Sequence, residues 1–378
     1  MIDRRAPDAL VLIVTGLLTA MGIVMVFSAS SAVAYMQFHD AAYYLKRELL
    51  WAAVGVLALV VGLRFDYAKL RPAAPWIFAI AIVLLVAVLI PKFGFIEGGA
   101  RRWLSLGLFT FEPSEFAKLA LVLFLAGLFS ARSDGAASFG RAGFPALFAV
   151  GLCFALVMRE PDLGTASLYL LTTFVMLFVA GAPLMQLALE GAIAVPALLA
   201  FIYSSAYRRT RFLAFLHPWK DPQGTGYHII QSLYALGSGG LFGLGLGQSR
   251  QKFGYLPAQH TDFIFSIIGE ELGFVGAVAV LMLFLLFAYR GVRIAMRAED
   301  RFGFYLAIGL TASITLQALV NIGVVTASWP VTGVPLPFIS YGGTSLVITL
   351  FSVGLLASVS RGRRRAAASL PASRAKVS

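Results

Sequence analysis

Ten stretches of this chain are apolar for close to the length a helix needs to cross a lipid hydrocarbon core, about 20 residues at 1.5 Å each. They centre on residues 10–33, 49–63, 76–90, 116–129, 144–157, 163–180, 184–203, 263–289, 304–326 and 342–359. Lipid is the solvent that suits such a chain. Hydrophobic residues make up 59% of the 378 and charged residues 13%, whereas a soluble domain carries about 25% charge. Too few polar groups remain to cover a water-facing surface, which excludes disordered, collagenous and disulfide-scaffold classes. The pattern predicts an all-α polytopic membrane protein with ten transmembrane helices, and an even number returns both termini to one side.

The formal charge of +12 would suggest nucleic acid in a soluble protein, but here the cations lie between apolar runs and read as topology signals. With both termini cytoplasmic, one side collects Arg4, Arg5, Arg64, Lys69, Arg71, Arg132, Arg141, Arg290, Arg293, Arg297, Arg301 and the basic tail from residue 361 to 378. Arg4 and Arg5 with Ala32, Val33 and Ala34 imitate a cleaved signal, yet the first run is too long for one and nine more follow. Residues 1–360 are expected to form one transmembrane domain, and the Ala/Ser-rich tail to be disordered. Within that domain the segment 204–262, between the seventh and eighth spans, is the only connection long enough to hold a folded element. It is read as an ordered extracytoplasmic cap, with an amphipathic stretch from 227 to 236 leading into glycines 237, 239, 240, 243, 245 and 247. Its Arg208, Arg209, Arg211 and Lys220 face outward against the usual bias, so an anionic ligand is the simplest reason for them.

Ionisable groups in or beside spans are costly, and each is a functional candidate. Asp262 closes the outer segment where the eighth span begins. It is placed either to cap that helix or to act as an outward carboxylate. Helical spacing puts Asp262, Ser266 and Glu270 on one face. A second constellation is Arg101, Arg102 and Trp103 followed by Glu112, Pro113, Ser114, Glu115 and Lys118. Glu115 and Lys118 are spaced to pair on one face, while the arginines are either interfacial anchors or a seat for phosphate. The turn Arg159-Glu160-Pro161-Asp162 reads as structural, and Glu190 needs a buried partner. Pro330, Gly333, Pro335, Pro337, Gly342 and Gly343 break the helical pattern before the last span, as in a loop lining a cavity. The lone Cys153 excludes disulfides and cysteine zinc sites. The glycine cluster fits no nucleotide-binding pattern, so no nucleotide cofactor is expected, and the Ser249/Lys252 spacing matches a catalytic pattern only by chance. No all-protein metal site is visible in the sequence. Asp262 with a substrate pyrophosphate is nonetheless suited to share a divalent cation, Mg or Mn.

Taken together, several blocks resemble the FtsW/RodA (SEDS) family of bacterial membrane proteins. They are residues 99–103 (GARRW), 113–118 (PSEFAK), 161–165 (PDLGT), 221–227 (DPQGTGY), 231–233 (QSL), 260–265 (HTDFIF), 269–273 (GEELG) and 335–343 (PLPFISYGG), in family order over nearly the whole chain. Gly245-Leu246-Gly247-Gln248-Ser249 with Lys252 and Tyr255-Leu256-Pro257 resembles the division branch more than the elongation branch. The resemblance implies ten transmembrane helices and a peptidoglycan glycosyltransferase. Such an enzyme polymerises lipid II at the outer face of the cytoplasmic membrane, at the division septum, with a class B penicillin-binding protein transpeptidase and other division proteins. The family's essential outward aspartate falls on Asp262, the expected catalytic base. The expected substrate-binding set is Arg101, Arg102, Glu115, Lys118, Arg208, Arg211, Lys220, His260, Glu270 and Ser340. Two departures stand out: Pro257-Ala258-Gln259-His260 where the family usually has Pro-Glu-Ala-His, and Glu112 where glutamine is common.

Glycosyl transfer from a lipid pyrophosphate needs a base near the attacking hydroxyl and cations on the leaving group, and this inventory supplies both. Two other functions compete. A flippase of lipid-linked precursors would want a charged central cavity and repeats, but no inverted repeat is evident. A non-catalytic division scaffold would act through its loops and tail.

Overall fold

The computed structural model of the protein describes residues 6–97, 100–105, 107, 110–132, 135–137, 139–204 and 206–362. All ten apolar runs are helical. They form α1 (Ala9–Phe38), α2 (Tyr43–Arg64), α3 (Leu70–Leu89), α4 (Pro113–Ser130), α5 (Phe144–Arg159), α6 (Leu163–Val179) and α7 (Leu184–Tyr203). The long segment contributes α8 (Ala206–Leu216) and α9 (Tyr227–Ser238), and the set closes with α10 (Ile264–Met296), α11 (Arg301–Val325) and α12 (Gly343–Ser360). Seven helices among the described residues, α1, α3, α4, α5, α10, α11 and α12, are long and apolar enough to cross a membrane. The basic tail from residue 363, like Arg4 and Arg5, lies outside the described residues.

Local chemistry sets several helix starts. Asp8 accepts from the Val11 amide at 3.2 Å, Asp162 from Thr165 at 3.0 Å and Asp300 from Gly303 at 2.9 Å. Each carboxylate satisfies an N–H that the first turn leaves open. The two ends of the described bundle meet where the Asp8 amide donates to Ser360 Oγ at 3.0 Å, and Arg290 pairs with the Asp8 carboxylate. The same end holds Tyr67 donating to Asp300 at 2.8 Å and Arg301 donating to the Arg132 carbonyl.

Two features depart from the all-helical expectation. Between α3 and α4 the chain forms an antiparallel sheet, β1 (Gly94–Glu97), β2 (Ala100–Ser105) and β3 (Thr110–Phe111), in that order. Its short runs of aromatic and aliphatic residues suit strands, and the apolar count could not register so brief an element. Second, the eighth apolar run is not one helix. At 33 residues α10 would be about 50 Å long, well beyond a hydrocarbon core of about 30 Å, and it breaks at Gly273, where φ is +69° and ψ −168°. That left-handed backbone favours glycine. The backbone groups freed there are paired by the glycine-rich turn after α9: Phe274 N–H donates to Gly240 O at 2.8 Å, and the Leu244 and Gly245 amides donate to Glu270 O and Glu271 O at 3.0 Å. This satisfies the requirement that non-helical backbone at such depth be covered by protein.

Candidate functional site

Asp262 stands two residues before α10, and Phe263, not Asp262, occupies the capping position, with no side-chain cap there. Capping is therefore not its task. The residue is half-buried, and both flanking stretches are pinned to the loop between α11 and α12. Ser340 Oγ donates to Thr261 O at 2.6 Å and accepts from Leu336 N at 2.8 Å, while Tyr341 N donates to His260 O at 2.9 Å. Asn321 of α11 donates through Nδ2 to Asp262 O at 2.8 Å and to Val334 O at 2.7 Å. Beneath the carboxylate lies Gly333, with φ +73°, where a Cβ would sit 3.4 Å from Asp262 Oδ2. Ser340 is thus a staple of the site backbone. His260 packs between the rings of Tyr44 and Tyr341, with centroids 4.6 and 5.8 Å away. Burial lowers its pKa to about 4, so the imidazole is neutral at pH 7 and supplies no positive charge.

Below this lies the second constellation. Lys118 Nζ donates to Glu115 Oε1 at 2.8 Å and to Gln317 Oε1 at 2.5 Å, Ser345 donates to Glu115 Oε2 at 3.1 Å, and Gln317 Nε2 donates to Pro335 O at 2.9 Å. The expected ion pair is present, and both side chains are buried. A cavity of about 20 Å³ beside it, lined by Glu115, Lys118, Ser313, Gln317, Thr349 and Ser352 among others, has room for about one water. Gln317 and Asn321 lie one helical turn apart on α11. The structure therefore joins through a single turn two constellations that lie about 145 residues apart in sequence. The sequence reading missed both amides; their signal is two carboxamides at i, i+4 inside an apolar run.

Other expected site residues have different partners. Glu270 does not share a face with Asp262: it is 1% exposed, and its carboxylate accepts from Ser249 Oγ at 2.5 Å and from the Arg250 amide at 3.0 Å. Ser266 pairs with Ser232 at 2.8 Å. Glu271 accepts twice from Ser28 Oγ of α1 at 2.7 Å and faces Lys252 Nζ at 3.4 Å. The two glutamates clamp residues 249–252 to α1 and to the broken helix, because buried carboxylates need several donors each. Arg102 bolts the sheet to the α5–α6 turn, donating to Glu160 O at 3.2 Å and Pro161 O at 2.7 Å and lying 3.5 Å from the Asp162 carboxylate. Arg101 donates to Leu89 O at 3.3 Å. Arg208 closes the end of α7, donating to Phe201 O at 3.1 Å with its guanidinium 3.7 Å from the Phe201 ring. Lys220 is exposed in the turn Pro218–Lys220. The side chains of Arg211 and Glu190 lie outside the described residues.

Beside Arg102, the turn read from the sequence as structural meets Glu112 in one acidic group. Glu160 is fully buried, and neither carboxyl oxygen has a hydrogen-bond partner among the described residues. Burial, reinforced by Asp162 and Glu112, pushes its pKa up to about 9. Glu112 is pushed up to about 8 by burial and by the neighbouring Glu115 and Asp162.

The sequence model of the cell cycle protein family that groups FtsW, RodA and SpoVE matches residues 8–365. The chain belongs to this family. It is 46% identical to stage V sporulation protein E of Bacillus subtilis, over 96% of this chain and 99% of that one. It is also 44% identical to a probable peptidoglycan glycosyltransferase FtsW of Trichlorobacter lovleyi, over 95% and 94%. Among solved structures it is similar to a chain described under structural coordination of polymerization and crosslinking by a peptidoglycan synthase complex. That match has a TM-score of 0.77, 32% identity, and covers 94% of this chain and 98% of the other. Rod shape determining protein RodA of Thermus thermophilus superposes with a TM-score of 0.71 at 29% identity, over 96% and 99%. The helices and the family together make this a multi-pass membrane protein.

Proposed function

We propose that the protein is a peptidoglycan glycosyltransferase that polymerises lipid II, with Asp262 as its general base. The observation that carries this reading is a half-buried carboxylate whose backbone is pinned on both sides while the ion pair of Lys118 lies one turn of α11 away. In the reaction, the Asp262 carboxylate takes the proton of the attacking sugar hydroxyl. The hydroxyl oxygen bonds to the anomeric carbon of the lipid-linked glycan as that carbon's bond to pyrophosphate breaks. Lys118 supplies positive charge toward the departing pyrophosphate, where charge develops in the transition state, and Arg102 holds the turn beside it. Lys220, exposed on the outer segment, belongs to the approach route of the anionic substrate, together with Arg208 and Arg211 of the same segment.

Among the described residues no group of three acidic, histidine or cysteine side chains is spaced for a metal. Asp262 therefore suits a divalent cation, Mg or Mn, only when substrate oxygens complete its shell; such an ion would offset phosphate charge. Orientation follows from the basic end formed by Arg71, Arg132, Arg290 and Arg301. The positive-inside rule makes that end cytoplasmic, with ten helices spanning and the 204–262 segment outside. The relatives' names, a peptidoglycan glycosyltransferase and a peptidoglycan synthase complex of polymerization and crosslinking, support a place in cell-wall synthesis; the reading adds a septal location, with a class B penicillin-binding protein transpeptidase and other division proteins as partners. Purified protein given labelled lipid II is expected to yield glycan strands without a second compartment. A preparation that moves lipid II across vesicles but makes no polymer would overturn the reading.

A further inference from the structure

The hydrogen bonds around α11 single out a residue that touches neither of the charged groups yet fixes the relation between them. Counting 1.5 Å per residue from Arg301, Gln317 lies about 24 Å and Asn321 about 30 Å along α11. The lower amide binds Lys118 and the Pro335 carbonyl; the upper one binds the carbonyls of Asp262 and Val334. Asn321 is 1% exposed. Both partners of its Nδ2 are carbonyl oxygens, which fixes the amide orientation, since only the NH₂ group can donate. Its Oδ1 is buried without a partner among the described residues. Such a group costs stability, so the residue contributes more to placement than to tight packing.

We propose that Asn321 is a positioning residue: one NH₂ group ties the Asp262 backbone to the Val334 backbone and thereby sets the Asp262 carboxylate over Gly333. The stretch 333–335 carries the Gly333 surface beneath the carboxylate and the Val334 and Pro335 carbonyls that the two amides grip. A donor lost here lets residues 261–263 and 333–335 drift apart. A displacement of about 1 Å in a reacting group costs on the order of a hundredfold in rate. The inference rests on Asp262 being the base.

The test uses full-length protein in detergent, with lipid II polymerisation and thermal unfolding measured on the same preparations. Asn321→Asp keeps the shape and replaces the NH₂ donor with an acceptor, and Asn321→Ser shortens the reach. Both are expected to lower kcat on the order of ten- to a hundredfold with KM changed less than about threefold. They are also expected to move the acid limb of the kcat profile, which reports the base in the complex, while Tm stays close to wild type. Gln317→Leu serves as the comparison on the lower turn and should leave that limb in place. Variants at 321 with wild-type kcat would overturn the inference while Asp262→Asn still abolishes polymerisation. A parallel loss of Tm, kcat and lipid II affinity with an unmoved acid limb would overturn it in favour of a packing role. If Asp262→Asn itself retains the rate, the catalytic reading fails, and this inference falls with it.

Discussion

Asp262 and Glu271 lie nine residues apart at the start of one helix, and the protein uses the two carboxylates in opposite ways. Glu271 is buried and faces three donors: the Ser28 hydroxyl, 2.7 Å from both of its oxygens, the Ser249 amide at 3.2 Å and Lys252 Nζ. Asp262 is half-buried at the surface of the site, and its carbonyl is gripped by Asn321 Nδ2 at 2.8 Å. A carboxylate engaged by several donors has its rotamer fixed and holds structure. Under the proposed function, the one placed over Gly333 through its carbonyl serves as the base. On the proposed reading, two acidic residues nine positions apart divide into base and clamp.

The largest effect that would break this comparison is at Asp262. Asp262→Asn is expected to lower glycan synthesis by on the order of a thousandfold or more while thermal stability changes by about 1 kcal/mol or less, the scale of a cap that is absent here. Polymer yield near wild type from a folded variant would remove the distinction.

Glu271→Gln is the mirror experiment. It leaves Lys252 buried without a counter-charge, and removing one member of a buried pair costs about 3–5 kcal/mol. The loss should appear first as lower Tm and protease sensitivity near residues 249–252, with activity falling only as folded protein is lost. Lys252→Met in the same chain should recover much of the stability.

The Glu115 and Lys118 pair sharpens the comparison because the proposed function gives a structural ion pair a second purpose toward the substrate. Each single neutralisation orphans a buried charge and is expected to cost a similar 3–5 kcal/mol. Glu115→Gln with Lys118→Met should recover stability and still fail to polymerise lipid II. Recovery of both measurements would make the pair structural alone.

Outside the comparison stands Glu160, a buried carboxyl whose oxygens have no hydrogen-bond partner among the described residues. With its pKa pushed to about 9, the folded protein keeps this proton while the unfolded chain releases it above about pH 4.5. Below that value the contribution to stability is complete, and as pH rises toward 9 it is lost. Glu160→Gln, neutral throughout, should flatten that decline. A melting curve series from pH 5 to 9 is expected to show the variant gaining on wild type as pH rises, by about 2–4 °C for each kcal/mol.

How much of this was legible in the sequence depended on the range of the interaction. Runs of apolar residues announce helices because the signal is local, and all ten appeared as such. The i, i+3 spacing announced Glu115 with Lys118 for the same reason. The assignment of Glu270 to a substrate face failed because helical geometry was applied across the start of α10, and because the donors that claim Glu270 come from residues 249–251, about 20 positions away. The three-stranded sheet was lost among long apolar runs. Gln317 and Asn321 passed as polar exceptions within a span, since nothing in their neighbourhood names the carbonyls they bind.

The sequence by itself determined the solvent, the helices and the basic end, because composition and periodicity are sums over neighbouring residues, and its motif blocks pointed to the family. The tertiary structure alone decided which donors reach each carboxylate and its backbone. Those donors are delivered from α1, α11 and the loops at separations of up to 243 residues, and hydrogen bonds act only over about 3 Å. No local pattern encodes which chain segments arrive within that distance.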